Sequence, residues 1–299
     1  MTSCVIKQSK KVCIGRKMRF REITIEDKNW IGKLRDTNRY SLTAYAFPAL
    51  YMWRREMGLT IAGNEKFFII HSDSLNGYFY PCGDEDACEE CLRQLIIQQN
   101  GAMNLFYMGE AQIQQAQSLG IKVSEDRDFS EYIYEWCTFA HPTQGNGHCI
   151  HDKVRKFSKT RNYTVRRITL ADTEALAQIT AEWENSRRIK GDSQAVLEAI
   201  DRMDELELQG IMLESGEDRA FTLAYCNTSD VYTFSIVKYT SGFSADVIAV
   251  CAHELAKALD GQGRYIDLEE DLGNEGMRRM KTAYHPNRLE KAYKGEYPG

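Results

Sequence analysis

The alternation of hydrophobic and polar positions predicts the same series of elements in both halves of the chain. In the first half, strands are predicted near residues 18–24, 59–63, 66–72, 77–81, 103–108 and 129–137, and helices near 26–36, 41–54, 84–99 and 110–119. In the second half, strands are predicted near 163–169, 209–215, 218–226, 230–239, 264–269 and 288–294, and helices near 171–189, 192–208, 244–260 and 274–284. Each half thus follows the order strand, two helices, three strands, helix, strand, helix, strand.

A short internal repeat supports this duplication. Residues 20–27 are FREITIED and residues 165–172 are VRRITLAD, so arginine, isoleucine, threonine and aspartate recur at the same offsets. Each peptide begins as a strand and ends at an aspartate that can cap the following helix. One ancestral unit, copied in tandem, explains both observations.

The predicted order is similar to that of a GNAT acyltransferase domain. In that fold three strands form an antiparallel meander, and the next strand returns parallel after a right-handed crossover helix. The strands diverge there, and an acyl-CoA normally binds in the gap. We therefore expect an α+β chain of two tandem GNAT-like (acyl-CoA N-acyltransferase) domains. Each is expected to have its own mixed, mostly antiparallel sheet flanked by helices, and one continuous sheet is expected to contradict the duplication itself.

The expected domains are a basic N-terminal arm at 1–17, a degenerate first domain at 18–150 and a candidate active domain at 151–299. The arm carries five lysines and arginines and no acid. The linker is placed at 141–160, where Pro and Gly turn residues precede a basic amphipathic stretch.

Composition narrows the function classes. The 299 residues carry a net charge of -5, which argues against a dedicated nucleic-acid binder. No apolar run approaches the roughly 20 residues of a membrane span, and the N-terminus lacks the apolar core of a signal peptide. Nine scattered cysteines, an odd number, indicate reduced thiols. A cytoplasmic protein is expected, while the oligomeric state stays undetermined.

The C-terminal region resembles a known family. Residues 265–273, YIDLEEDLG, and 274–286, NEGMRRMKTAYHP, are similar to the signature of a bacterial family related to the C-terminal domain of phosphatidylglycerol lysyltransferase. Weaker matches are Ser41, Leu42, Trp53, Tyr80, Pro81, Cys82, Gly83, Asp128, Tyr132, Tyr134 and Trp183. The resemblance implies a tandem GNAT fold, as in the peptidoglycan aminoacyltransferases. One departure is Val237, because the family often has a glutamate immediately before the lysine that is Lys238 here.

The acidic run after residue 266 supplies candidate catalytic groups. If the strand continues, Glu270 extends the apolar row of Ile266 and Leu268 and faces the cleft as general base. Glu269, Arg278 and Lys281 are candidate substrate contacts. The alternative is structural: Arg278, Arg279 and Lys281 on the next helix pair with the acids and lock strand to helix.

The loop at 240–246 is where a GNAT enzyme holds the cofactor pyrophosphate on backbone N–H groups. Gly242, Phe243 and Ser244 are the candidate contacts, and amides near Phe243 are expected to stabilise the oxyanion. The usual Gly-x-Gly spacing is absent, and Asp246 would repel a phosphate. Acyl-CoA is thus a weak candidate donor, aminoacyl-tRNA remains open, and an ordinary capped helix is the alternative. The matching first-half loop, 83–86, is more acidic, which places the site in the second half.

Three further side chains are candidates beside that loop. Lys238 can bind a carboxylate or phosphate, and Tyr239 can protonate a leaving group. Trp183 can form a wall of the acceptor pocket. The alternatives are a solvated strand end for the first two residues and a core anchor for the tryptophan.

Basic residues of the linker, with Lys153 and Arg155 foremost, can hold tRNA or a lipid headgroup by charge. A solvated helix face is the alternative. The cysteine and histidine spacings predict no metal site.

The sequence therefore predicts an acyl- or aminoacyltransferase acting on an amine or hydroxyl of a small molecule or lipid headgroup. The alternative is a non-catalytic degenerate pair that binds a ligand or partner, and a third class is a tRNA- or membrane-surface-binding module.

Overall fold

The computed structural model describes residues 18–143, 146–186 and 191–299. Its strands are β1 (Arg21–Glu22), β2 (Leu59–Gly63), β3 (Phe67–Ser72), β4 (Gly77–Phe79), β5 (Cys82–Gly83), β6 (Met103–Met108), β7 (Lys122–Glu135), β8 (Thr164–Arg167), β9 (Gln209–Ser215), β10 (Asp218–Thr228), β11 (Val231–Tyr239), β12 (Tyr265–Asp267) and β13 (Arg288–Tyr297). Its α-helices are α1 (Lys28–Thr37), α2 (Phe47–Trp53), α3 (Glu85–Gln99), α4 (Ile113–Ser118), α5 (Trp136–Ala140), α6 (His148–Thr160), α7 (Thr173–Asn185), α8 (Ser193–Asp201), α9 (Val247–Ala258) and α10 (Glu275–Ala283). The expected basic arm at 1–17 and the end of the helix expected at 171–189 lie outside the described residues.

The sequence repeat forms the same local structure twice. Both terminal nitrogens of Arg21 donate to the Asp27 carboxylate, at 2.7 and 2.5 Å. The terminal nitrogens of Arg166 donate to Asp172 in the same way, at 2.9 and 2.7 Å. Both aspartates also accept the backbone N–H of the threonine three residues earlier, which closes a capping box. The repeated residues therefore start the first helix of each unit.

The pairing of strands is repeated as well. The first unit comprises β1 to β7 and the second comprises β8 to β13. In each unit an antiparallel series leads to one parallel pair, which is β4 with β6 in the first unit and β11 with β12 in the second. The crossover before each parallel strand contains a helix, α3 in one case and α9 in the other.

The two units exchange their last strands. β13 of the second unit pairs with β6 of the first, and β7 of the first pairs with β12 of the second. Because β7 and β13 also pair with each other, the described strands form one sheet in the order β1-β2-β3-β4-β6-β13-β7-β12-β11-β10-β9-β8, with β5 on β3. The expectation of a separate sheet in each domain is wrong, and so is the expectation that one continuous sheet would contradict the duplication, because both units repeat the same strand pairing. Sequence periodicity places a residue on a face of a strand, but it does not say which strand lies beside it.

Helices cover both faces of the sheet, and the expected linker is largely helical. α6 packs against α9 through Phe157, which contacts the Phe243 ring at 5.7 Å between centroids. α2 packs against α8 across the two units. Among the described residues, no helix is long and apolar enough to span a bilayer.

Candidate functional site

The site is built at the place where β11 and β12 diverge. Their parallel pairing ends at Thr233 and Asp267, although β11 continues for six more residues to Tyr239. A register shift beside Ser235 interrupts the pairing of β11 with β10. Such a bulge re-aims side chains, and the Ser235 hydroxyl donates to Glu269 at 2.7 Å. The divergence therefore leaves polar side chains between two strands of a buried sheet.

Four buried polar side chains lie in a row across neighbouring strands. Tyr225 on β10 is the register partner of Thr233 on β11, and Thr233 is the partner of Asp267 on β12. Glu131 lies two residues from Ile133, the partner of Asp267 on β7, so it points to the same face. All four residues are at most 1% exposed. Within the described residues, each retains one polar atom without a hydrogen-bond partner: Tyr225 Oη, Thr233 Oγ1, Asp267 Oδ2 and Glu131 Oε2.

Burial keeps the acids of this row protonated to higher pH than usual. It raises the pKa of Asp267 to about 7. Burial, with the Asp267 charge nearby, raises the pKa of Glu131 well above its ordinary value, although the Thr43 hydroxyl and backbone N–H both donate to it. A carboxyl with a pKa close to 7 can accept and return a proton at neutral pH.

Glu269 and Glu270 lie beside the row and are partly exposed. The expected strand alternation through residue 271 is wrong, because β12 ends at Asp267 and Glu269 has a φ of 60°. Lys281 holds this turn by donating to the carbonyls of Leu268, Glu269 and Glu270 at 2.6, 3.2 and 2.5 Å. Burial raises the pKa of Glu270, and burial together with the Glu270 charge raises that of Glu269 to about 8.

Asp271 has the structural role that was the alternative for the acidic run. It accepts from Arg278 at 2.6 and 2.9 Å and from the Tyr132 hydroxyl at 2.6 Å. These donors lower its pKa to about 2 despite its burial. Arg278 also binds Asp128 at 2.6 Å, so it locks α10 to β7. Arg279 faces solvent near Glu275.

The loop before α9 is not arranged for a pyrophosphate. Glu182 of α7 accepts from both the backbone N–H and the hydroxyl of Ser241, at 2.8 and 3.0 Å. The Phe243 N–H donates to the Thr240 carbonyl, and the Phe243 ring is buried against α6 and α9. The N–H groups of Ser241 and Phe243, two of the expected oxyanion donors, are therefore already used within the protein. Ser244 accepts from the Val247 N–H through its carbonyl, as in an ordinary helix start.

Two more carboxylates surround this loop. Asp218 packs under Gly242 so closely that a Cβ there would collide with it, and Arg161 bridges Asp218 and the Gly242 carbonyl at 2.6 Å each. Asp246 binds Lys153 at 2.5 Å. Lys153 is thus engaged by a helix start, whereas Arg155 is exposed with Asp152 at 3.7 Å.

Lys238 and Trp183, two of the candidates beside the loop, lie against each other. The Lys238 ammonium lies 3.7 Å from the centre of the Trp183 ring and binds Asp192 at 2.5 Å. A cavity of about 820 Å³ adjoins this pair between α2 and α8, lined by Tyr51, Arg54, Glu56, Glu184, Ser193 and Leu197 among others. Tyr239 points to the opposite side, into the apolar cluster with Phe243, and Val237 packs there too.

Sequence reasoning missed the central members of the row. Glu131 and Tyr225 lie on other strands, β7 and β10, and Asp267 was not among the candidates because it alternates with the row of Ile266, Leu268 and Glu270. The available signal was a charged residue, Glu131, on a predicted strand between the aromatic residues Phe129 and Tyr132. Among the residues that the structure describes, no three His, Cys, Asp or Glu side chains are grouped as metal ligands.

Comparison with known proteins gives the family. The chain is similar to a conserved protein of unknown function from Bacteroides thetaiotaomicron, at 21% identity over 93% of this chain and 99% of that one, with a TM-score of 0.83. It is similar to L-PGS from Bacillus licheniformis, at 13% identity over 90% and 91%, with a TM-score of 0.64. FemX gives 9% identity over 94% and 98%, with a TM-score of 0.58. No curated protein matches the sequence.

These likenesses concern the fold, and with them the expected class of two tandem GNAT-like units in an α+β chain is confirmed. The family model described as phosphatidylglycerol lysyltransferase, C-terminal, matches residues 37–294, which is most of the chain. The chain belongs to this phosphatidylglycerol lysyltransferase C-terminal family.

Proposed function

We propose that this protein transfers an acyl or aminoacyl group from an activated ester or thioester to an amine or hydroxyl, at the gap between β11 and β12. The observation that carries the proposal is the row of Tyr225, Thr233, Asp267 and Glu131, with its unpartnered polar atoms. An unpaired buried polar group costs about 1–3 kcal/mol, and such groups in native proteins often mark functional sites. Their grouping where two strands diverge supports a site for polar reacting atoms.

In this proposal Asp267 is the general base. The attacking nitrogen or oxygen forms a bond to the carbonyl carbon and gives its proton to Asp267. The ester or thioester bond then breaks, and the leaving oxygen or sulfur takes up a proton. Glu269, with a pKa of about 8, is protonated at neutral pH and supplies it. Asp267 takes this role ahead of Glu270 because its unpartnered oxygen faces the row.

The charges around the loop before α9 favour aminoacyl-tRNA over acyl-CoA as donor. Glu182, Asp218 and Asp246 surround the position that would hold a pyrophosphate. Glu182 already accepts from the N–H and the hydroxyl of Ser241. A phosphate would be repelled there. The cavity beside Lys238 and Asp192 is the proposed substrate pocket. Since Lys238 lies three residues beyond Ser235, about 10 Å along β11 separates this pocket from the gap.

The test is a transfer assay with the purified full chain. Total tRNA charged with labelled amino acids, or labelled acyl-CoA in a parallel arm, is incubated with vesicles containing phosphatidylglycerol, and the label in lipid is measured. We expect label from aminoacyl-tRNA, and a loss of about 100-fold or more in Asp267→Asn. Glu275→Gln, at an exposed acid of α10, is the matched control and should keep full activity. Equal activity of wild type and Asp267→Asn would remove this site.

The alternative is a non-catalytic pair that binds a ligand or partner. Val237 in place of the family's glutamate and the occupied donors of Ser241 and Phe243 favour it. It predicts no transfer from any donor, combined with a rise in melting temperature on adding lipid headgroup or aminoacyl-tRNA, because ligands that bind the folded state stabilise it.

A further inference from the structure

We propose that Glu131, supplied by the exchanged strand of the first unit, is a positioning residue that stays protonated and donates a hydrogen bond to Asp267. The first unit would then complete the reacting site of the second. This inference rests on the proposed function, in which Asp267 is the base.

The geometry around Glu131 requires a shared proton. Its Oε1 accepts both donors of Thr43, the N–H at 2.7 Å and the hydroxyl. Its other oxygen, Oε2, is unpartnered, and Glu131 lies on the neighbouring strand on the same face as Asp267. The Oδ1 atom of Asp267 accepts from the Glu269 N–H at 2.7 Å, which leaves Oδ2 for the row. In the described part of the chain no other donor reaches Glu131 Oε2 or Asp267 Oδ2, and two carboxylate oxygens facing each other repel unless one carries a proton.

The surroundings indicate which carboxyl keeps the proton. Glu131 is 1% exposed and has no ion pair among the described residues. The nearby Arg35 is committed to the carbonyl and side-chain oxygens of Asn227 and to the Ser41 carbonyl. Both carboxyls accept a backbone N–H, but Asp267 also lies near the Lys281 ammonium, which favours its charged form. Glu131 is therefore the neutral donor.

Several other groups also act on Asp267, and the test must separate them from Glu131. Those that interact with it are Glu131 and Tyr134 from β7, Tyr225 from β10, Glu269 and Glu270 from the turn after β12, and Lys281 from α10. Of these, Glu131 is the side chain that is proposed to share a proton with Asp267, and substitution can convert it into a permanent donor or a non-donor. Glu131→Gln and Glu131→Leu are those two changes.

The two variants have opposite expected effects. In Glu131→Gln the amide oxygen can take the Thr43 donors and the amide NH₂ can donate to Asp267, so the bond is preserved. In Glu131→Leu the donor is lost, which raises the pKa of Asp267 and leaves the base protonated at neutral pH. The acid limb of the pH–rate profile should move up by about one pH unit in Glu131→Leu and stay within a few tenths in Glu131→Gln.

A second measurement needs no substrate. The Asp267 carboxyl carbon is labelled with ¹³C, assigned by its loss in Asp267→Asn, and titrated by NMR in the full chain. Its pKa should rise in Glu131→Leu and stay near the wild-type value in Glu131→Gln. If Glu131→Leu does not fold, infrared spectra decide: above the titrations of both Asp267 and Glu269, wild type should retain a protonated carboxyl band that is weaker by one carboxyl in Glu131→Gln.

The outcomes separate this inference from the proposed function. If Asp267→Asn is inactive but Glu131→Leu has an unshifted profile and an unshifted Asp267 titration, the Glu131 role is wrong and the site stands. If the Asp267 pKa moves as expected but Asp267→Asn stays fully active, the carboxyl pair is real and the reaction lies elsewhere.

Discussion

The two units differ in the side chains that lie at their parallel strand pair. In the first unit, the parallel pair β4 and β6 is bridged by Tyr45, whose hydroxyl lies 2.8 Å from the Tyr80 carbonyl and 3.0 Å from the Tyr107 carbonyl. Phe79 and Tyr107 pack there with ring centroids 4.6 Å apart. In the second unit, the equivalent pair β11 and β12 encloses Asp267 and its acidic neighbours. One gap is filled by aromatic rings and the other by ionisable groups.

This difference shows how duplication separates stability from chemistry. The aromatic gap has its polar atoms paired and its volume filled, so it adds to the core. The acidic gap leaves polar atoms unpaired, which costs stability and suits a reacting site. Since the strand exchange brings Glu131 of the first unit beside Asp267, the first unit still contributes a side chain to the acidic gap of the second.

The largest effect is expected from opening the aromatic gap. Tyr45→Ala should lower the free energy of unfolding by about 3–5 kcal/mol, because it removes a fully buried ring. Tyr45→Phe should cost about 1 kcal/mol through its lost hydrogen bonds, and Tyr225→Phe in the other gap should cost close to nothing. Urea unfolding measures all three. Equal losses for the two phenylalanine variants would contradict the contrast between the gaps.

The next effect is a pH dependence of stability from Asp267. Its pKa is about 7 in the folded protein and about 4 when unfolded. Between those values the folded state binds more protons, so its stability falls as pH rises and the full penalty is reached above about pH 7. Asp267→Asn removes this penalty and should exceed wild type by on the order of 2–4 kcal/mol at pH 8, but not at pH 4.

Unfolding titrations from pH 4 to 8 check this, with the exposed Asp204→Asn as control. A difference between Asp267→Asn and wild type that does not vary with pH would mean that Asp267 ionises normally.

The smallest effect concerns the helix cap that is present in both units. Arg21→Ala and Arg166→Ala each remove a half-exposed guanidinium from a nearly buried aspartate. Each should cost about 1 kcal/mol, and the two losses should agree within about 0.5 kcal/mol. Thermal unfolding measures them against Arg279→Ala, an exposed arginine. Clearly unequal losses would show that the repeated caps are no longer equivalent.

Most elements of the fold followed from local pattern. Strands 59–63, 103–108 and 209–215 begin and end where the alternation placed them. α5 was missed because Trp136–Ala140 is only five residues long and continues an apolar strand pattern. α6 was assigned to the linker, since its basic residues and the preceding turn residues suggested a connection.

The site was only partly predictable. The acidic run was recognised, but its alternation failed at Glu269, where a positive φ ends the strand geometry. The pairing of Asp271 with Arg278 was foreseen as an alternative because the next helix carries the arginine. The partners of Asp267 could not be foreseen, as Glu131 and Tyr225 are distant in the sequence and reach it only through strand order.

The sequence alone determined the repeated units, their helix caps and the second copy as the one with the acidic run, because each depends on residues close together along the chain. Only the tertiary structure decided that the last strands are exchanged and that Glu131 lies beside Asp267. Which strands become neighbours depends on the packing of the whole sheet, and the pKa of a buried carboxyl depends on the groups that this packing brings to it.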